Sequence, residues 1–234
     1  MGWKDYIPED IADLYEVHDY KHAAAILSNE FPNEFNEIIG ALRVFRLKVQ
    51  DIIDKGGNES AIPKLVSDIL RPLEWKEQQL KAEMVVDGKT VSADTHLVDY
   101  IKGRVAFDLE WNSKDQTYDR DLFAFRTFHE YGKISVGILL TRSNDLDDVF
   151  LALGEYTDKD GKVKKVISKF GASTTHMGKL LPRLDAGRGG GCPVLVFGIT
   201  PQVLSDWKDH PKNVVGKQGL AKKNRRKYLR NHLG

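Results

Sequence analysis

The stretch that most limits what this chain can fold into is Asp99-Tyr-Ile-Lys-Gly-Arg-Val-Ala-Phe-Asp108-Leu-Glu110. Residues two apart in a β-strand face the same side, so Asp108 and Glu110 project together. The Lys102-Gly103 dipeptide allows a tight reversal, which carries Asp99 back beside them. Three carboxylates in one volume repel unless a cation neutralises them. Hard divalent ions, Mg²⁺ first, take oxygen ligands of this kind. Asp99, Asp108 and Glu110 are therefore expected to form a metal-dependent site.

A pair of acids two apart is, by itself, as expected on a solvated strand face. Two features argue against that here. Val105, Phe107, Leu109 and Trp111 occupy the alternate positions of the same run, which anchors the strand in a core. The polar segment Asn112-Ser-Lys-Asp-Gln-Thr117 then leads into an amphipathic helix, not a hairpin turn.

With 234 residues, 41% hydrophobic and 29% charged, one soluble globular domain over 1–234 is expected. No apolar run reaches the roughly 20 residues that cross a bilayer. The N-terminus, Met1-Gly-Trp-Lys-Asp, lacks the apolar stretch of a secretory leader. Cys192 is the sole cysteine, which excludes an intrachain disulfide and a cysteine-built zinc site, and suits a cytoplasmic protein. The net charge of +1 hides an asymmetry: residues 217–234 hold seven basic residues and no acid, leaving the remainder at about −6. Leu220, Tyr228, Leu229 and Leu233 give that segment an apolar stripe. It reads equally as a solvated tail or as a basic helix along a phosphate backbone, through Lys222, Arg225 and Arg226.

Periodicity predicts a helix from Pro32 to Ile53, with Phe35, Ile38, Ile39, Leu42, Phe45, Val49, Ile52 and Ile53 on its apolar face. Pro32 suits its first turn and Gly56-Gly57 its end. Its Phe45, Val49 and Ile53 face is core or dimer contact. A second helix runs from Glu59 to Leu70. Leu80 to Val91 reads as a hairpin about Asp87-Gly88. Strands follow near 95–101 and 104–112, then a helix from Asp119 to His129, a buried strand from Ile134 to Leu140, helices around 146–153 and 176–184, and a strand from Pro193 to Ile199. The consistent architecture is a mixed sheet flanked by helices, α/β or α+β.

These motifs together resemble the PD-(D/E)xK nuclease fold, and more narrowly the BglII, BstYI and BamHI restriction endonucleases. His18-Asp-Tyr-Lys-His22-Ala-Ala-Ala-Ile-Leu27 is similar to an N-terminal D-Y-x-H-A-x-x-I-L segment of that family. The run Glu110-Trp-Asn-Ser-Lys-Asp-Gln-Thr-Tyr-Asp-Arg-Asp-Leu-Phe-Ala-Phe-Arg126 resembles the segment after its catalytic strand. The similarity spans about residue 18 to about residue 200. It implies that Asp99 is the first metal-binding aspartate and Asp108 the second acidic ligand. Glu110 falls where most of the superfamily has lysine and BglII-like members have Gln or Glu. A second register makes Glu110 the acidic ligand and Asn112 the third residue. A helix in the family adds a polar group to the metal shell, for which Glu77 or Gln78 is the candidate. Ser173-Thr174-Thr175-His176 resembles the family's recognition loop, and reads otherwise as a helix cap. Lys114, Arg120, Asp121 and Arg126 are further candidates for DNA contact.

The resemblance implies a type II restriction endonuclease: Mg²⁺-dependent, with Mn²⁺ able to substitute, cutting double-stranded DNA at a short GATC-containing palindrome. A homodimer matches a palindromic target, and a cognate DNA methyltransferase would protect the host. The rival readings are a repair or recombination nuclease of the same fold and a DNA-binding module without catalysis. His18 and His22 have no companion ligand and are read as structural.

Overall fold

The computed structural model describes residues 2–54, 61–79, 81, 83–92, 97–158 and 160–207. Lys222, Arg225, Arg226 and the whole 217–234 segment lie outside these residues, as do Gly56-Gly57 and the predicted helix start at Glu59. In chain order the elements are α1 (Glu9–Leu14), β1 (Tyr15–Tyr20), α2 (Ala23–Glu30), α3 (Pro32–Val44), α4 (Val49–Ile53) and α5 (Ala61–Leu70). A 3-10 turn over Arg71–Leu73 leads to β2 (Lys76–Gln79), β3 (Glu83–Val86), β4 (Lys89–Ser92), β5 (Leu97–Lys102) and β6 (Val105–Glu110). There follow α6 (Thr117–Glu130), β7 (Val136–Arg142), α7 (Leu146–Ala152), β8 (Glu155–Thr157), β9 (Val163–Lys165), α8 (Met177–Asp185) and β10 (Val194–Ile199).

Six strands form one sheet in the order β1-β10-β7-β6-β5-β2. The central three, β10, β7 and β6, are parallel, and β1, β5 and β2 join antiparallel at the two sides. The expected mixed sheet between helices is thus the architecture. The parallel strands are buried on both faces and read as near-continuous apolar runs. Alternation sorts their side chains: Leu195, Phe197 and Ile199 enter one core with α1 to α5 and α7, while Val194 and Val196 enter a second with α6 and α8. The same rule sends Val105, Phe107 and Leu109 of β6, and Trp111 just beyond it, into the first core. Ala106 enters the second core, which leaves Asp108 and Glu110 facing α6.

Where α6 crosses β7, a strand glycine admits an aromatic ring. A Cβ at Gly137 would overlap the Phe125 ring. Gly137→Ala is expected to push α6 off the sheet and cost about 1–3 kcal/mol, to be read as a lowered thermal midpoint. An unchanged midpoint would mean that this contact is slack.

The predicted helix over 32–53 is two helices, α3 and α4, separated by Phe45–Lys48. Leu47 leaves the helix to bridge Leu204, and the Lys48 N–H donates to Asp51 to start the next turn. Phe45 and Val49 are buried core residues, and Ile53 is half-buried against the same core. The Asp87-Gly88 turn forms as expected, with both residues at positive φ (49° and 74°). The strand predicted at 134–140 runs two residues later, and β1, α1 and α2 were not anticipated.

Candidate active site

β5 and β6 pair regularly only from the turn outward: Lys102 with Val105, Ile101 with Ala106, Tyr100 with Phe107. Gly103 opens that turn at φ +56°, which a residue with a Cβ adopts only under strain, and a Cβ there would also meet Glu34 Oε1 at 2.8 Å. Past Tyr100 and Phe107 the ladder opens, and side chains take the place of its carbonyls. The Asp99 N–H donates to Asp108 Oδ1 at 2.6 Å, and the Leu109 N–H donates to Asp99 Oδ2 at 3.3 Å. Both aspartates are thereby fixed in the gap between the strands. Glu110 follows on the same face as Asp108. Its carbonyl accepts from Thr141 Oγ at 2.7 Å, and Tyr118 of α6 sits on the same threonine hydroxyl at 2.6 Å. The end of β6 is therefore locked to both β7 and α6.

Asp99, Asp108 and Glu110 lie near one another at the open end of the ladder, and a fourth acid joins them. Asp121 extends from α6, is only 3% exposed, and lies within hydrogen-bond reach of Glu110. Burial raises all four carboxyls. For Asp108, fully enclosed, the charges of Asp99, Asp121 and Glu110 raise it further. Burial pushes Glu110 up to about 7 and Asp121 up to about 8, with Glu110's charge adding to the latter. Asp99 is raised by burial and by Glu77, against the opposing pull of the Leu109 amide, Arg120 and Arg71.

Asp108 Oδ2, Glu110 Oε2 and Asp121 Oδ2 are buried without a hydrogen-bond partner among the described residues. Unpaired buried carboxylate oxygens are costly, and hard oxygen donors with unused lone pairs are what Mg²⁺ or Mn²⁺ binds. This donor set fits a divalent cation. Among the described residues no three His, Cys, Asp or Glu side chains are arranged so as to hold a metal ion; the acids hold hydrogen bonds to amides instead.

Asp99 and Glu110 open into a cleft of about 520 Å³, lined also by Glu77, Asn112, Ser113, Arg71, Arg120 and Lys169, while Asp108 and Asp121 are buried behind it. Glu77 is on β2, a strand and not the helix the resemblance suggested. It sits where the β2–β5 register shifts between Lys76 and Gln78, a bulge that re-aims a side chain. Gln78 does not line the cleft. Asn112 donates to the Lys169 carbonyl at 3.2 Å while its Oδ1 is unpartnered. Lys169 spends its ammonium on the carbonyls of Ile52, Ile53 and Asp54, the end of α4.

The residues read as DNA contacts divide. Arg120 lines the cleft beside Asp121, 3.5 Å away. Lys114 is exposed, on a short bridge to Thr174. Arg126 pairs with Glu130 one turn on, at 2.7 Å. Asp121, enclosed in the acid cluster, is not placed to touch a base. Ser173 is exposed, but Thr174 Oγ accepts from Arg142 at 2.8 Å and donates to the Gly171 carbonyl. Thr175 is fully buried and its hydroxyl accepts the Ser113 N–H at 3.2 Å. His176 contacts Asn144 at 3.2 Å and precedes α8 without capping it by its side chain; burial, with Arg142 and Lys179 nearby, lowers it to about 4. Thr174 and Thr175 thus tie their loop to the segment after β6. His18 pairs with Glu16 at 2.8 Å, consistent with its structural reading.

No curated protein matches the chain. The family model described as Restriction endonuclease BglII/BglIII matches residues 15–199. That span opens on the first residue of β1 and closes on the last of β10, so it contains the entire central sheet and all four clustered acids. The chain belongs to the BglII/BglIII restriction endonuclease family.

Proposed function

We propose that the protein is a type II restriction endonuclease, hydrolysing phosphodiester bonds at a short palindromic site in double-stranded DNA with Mg²⁺, or Mn²⁺ in its place. The observation that carries this reading is the opened β5–β6 ladder, where the Asp99 N–H holds Asp108, the Leu109 N–H holds Asp99, and Asp108 Oδ2 and Glu110 Oε2 are left without a partner among the described residues. Asp99 and Asp108 are the residues to hold the ion, with Glu110 a third ligand or the group that orients the attacking water. The register with Asp108 and Glu110 is favoured over Glu110 and Asn112, because Asp108 is tied to Asp99 through the Asp99 N–H and brings an ionisable carboxyl, whereas Asn112 brings a neutral amide. When bound, a divalent cation supplies charge neutralisation at the phosphate and a lowered pKa for bound water.

The protein groups do the rest. Glu110 accepts the proton of the attacking water at its carboxylate oxygen, which burial has made more basic than a solvated glutamate. The walls of the cleft, Trp111 and Tyr100 among them, limit bulk water at the reacting phosphate. Base reading falls to the exposed surface around Lys114, Arg120 and Ser173, which phosphate contacts alone cannot supply. A homodimer, a cytoplasmic location and a protecting methyltransferase follow from a palindromic target such as a GATC-containing site.

Incubation of the protein with plasmid DNA and Mg²⁺ is expected to give discrete fragments whose sequenced ends share one palindrome. Cutting confined to nicks or junctions would instead identify a repair nuclease. A uniform smear would remove site specificity from the reading.

A further inference from the structure

The cleft faces a shortage of positive charge. Its third acidic position, Glu110, brings no positive charge, and the nearby Lys169 is consumed by three backbone carbonyls. Arg120 lies against Asp121. One other cation lines the cleft: Arg71, in the turn that follows α5. Its side chain makes no hydrogen bond or ion pair with any described residue.

The backbone carrying Arg71 is held firmly. Leu70 on one side and Trp75 on the other are each 1% exposed, and the Trp75 N–H donates to the Leu70 carbonyl at 3.3 Å. The Trp75 indole donates to Glu37 at 2.8 Å, and Lys102 joins Glu37 at 2.5 Å and the Leu73 carbonyl at 2.9 Å. Glu74 closes the turn at φ +67°. A rigid mount with an uncommitted guanidinium adds little to stability, since no hydrogen bond or ion pair among the described residues uses the charge. It is well suited to ligand binding, because little ordering remains to be done. Arg71 also stands near enough to pull on Asp99, yet is paired with none of the clustered carboxylates. The space between them has acids and their cation site on one side and a guanidinium on the other. A tetrahedral phosphodiester group suits such a gap, since Arg presents a planar fork of donors to phosphate oxygens.

We infer that Arg71 contacts the scissile phosphate of bound DNA and stabilises the charge that develops on its oxygens during hydrolysis. This rests on the nuclease reading of the same cleft. A donor at this place acts mostly on the transition state, so its loss lowers the rate at saturation more than it lowers binding.

The test is single-turnover cleavage of a plasmid that the parent cuts, with enzyme in excess, for the parent, Arg71→Ala and Arg71→Lys, together with equilibrium DNA binding in EDTA and thermal midpoints. Arg71→Ala is expected to cleave about 10²-fold more slowly at saturation. Its binding should stay within about threefold of the parent and its midpoint unchanged. Arg71→Lys should recover part of the rate. A saturated rate within about threefold of the parent for Arg71→Ala would overturn the inference and leave the nuclease reading standing. Weakened binding with an unchanged saturated rate would also overturn it, since Arg71 would then touch a distant phosphate. A parent that cuts no DNA with Mg²⁺ or Mn²⁺ would sink the nuclease reading, and the role of Arg71 with it.

Discussion

Asp108→Asn is expected to slow DNA cleavage at saturating Mg²⁺ by at least about 10³-fold while binding DNA no more weakly than the parent. The substitution keeps an oxygen to accept the Asp99 N–H, so the opened ladder survives. It removes the ionisable oxygen that a bound cation would draw on. Asp108 is 3% exposed and its second oxygen has no described partner, so that oxygen contributes nothing to the fold that an amide would forfeit. Loss of an acidic ligand removes affinity for the ion and, through it, neutralisation of the phosphate.

Binding should move the other way. Asp99 and Glu110 line the cleft with Asp108 and Asp121 buried behind them, and where Asp108 is deprotonated its removal reduces the repulsion that an incoming phosphate meets. Cleavage and gel-shift or anisotropy titrations on one preparation separate the two effects. Cleavage within about tenfold of the parent would end the assignment of Asp108 as a ligand. So would loss of DNA binding in step with cleavage, which indicates a collapsed site.

Much of this site was legible because it depends on period and turn chemistry. Gly103 between two apolar runs fixed the reversal, and period two placed Asp108 with Glu110 and against Phe107 and Leu109. What the pattern could not convey is that the ladder ends at Tyr100, because the amide-to-carboxylate bonds that open it depend on three-dimensional divergence of the strands. Asp121 was read as a DNA contact although its spacing held the contrary signal. It falls three residues after Tyr118 and four before Phe125, inside the apolar stripe of α6, where a carboxylate is enclosed. Thr175 was likewise placed in the recognition loop or a helix cap; burial of a polar loop residue follows from its partner Ser113, far away in sequence.

The elements show the same division. The break between α3 and α4 contains neither Gly nor Pro. Its cause is a tertiary bridge from Leu47 to Leu204, so local periodicity runs straight through it. The edge strand β1, Tyr-Glu-Val-His-Asp-Tyr, alternates but carries too many polar residues to stand out from a loop. By contrast, the dense apolar runs of β7 and β10 were found with small boundary shifts, since strands buried on both faces have little compositional freedom.

Stability should record the acid cluster as plainly as activity does. With EDTA present, the thermal midpoint is expected to fall by at least about 4 °C between pH 6.5 and pH 8. Asp108, Glu110 and Asp121 all have carboxyls raised by burial, so the folded chain holds protons that the unfolded chain has already released. Stability from such groups is full below about pH 4 and declines as pH climbs through the folded values. His176, lowered to about 4, opposes this only below its ordinary value, because there the unfolded imidazole gains a proton first. Above pH 6.5 it is largely neutral in both states, so the acids set the slope. A divalent ion reverses the effect, since binding favours the deprotonated carboxylates. Millimolar Mg²⁺ should therefore raise the midpoint more at pH 8 than at pH 6.5. Asp108→Asn should be more stable than the parent in EDTA at pH 8 and show a much smaller Mg²⁺ shift. Scanning calorimetry or fluorimetry on the two proteins, at both pH values, with and without the ion, measures each of these differences. A flat profile in EDTA, or equal Mg²⁺ shifts in parent and variant, would mean that the clustered carboxylates are not the seat of the ion.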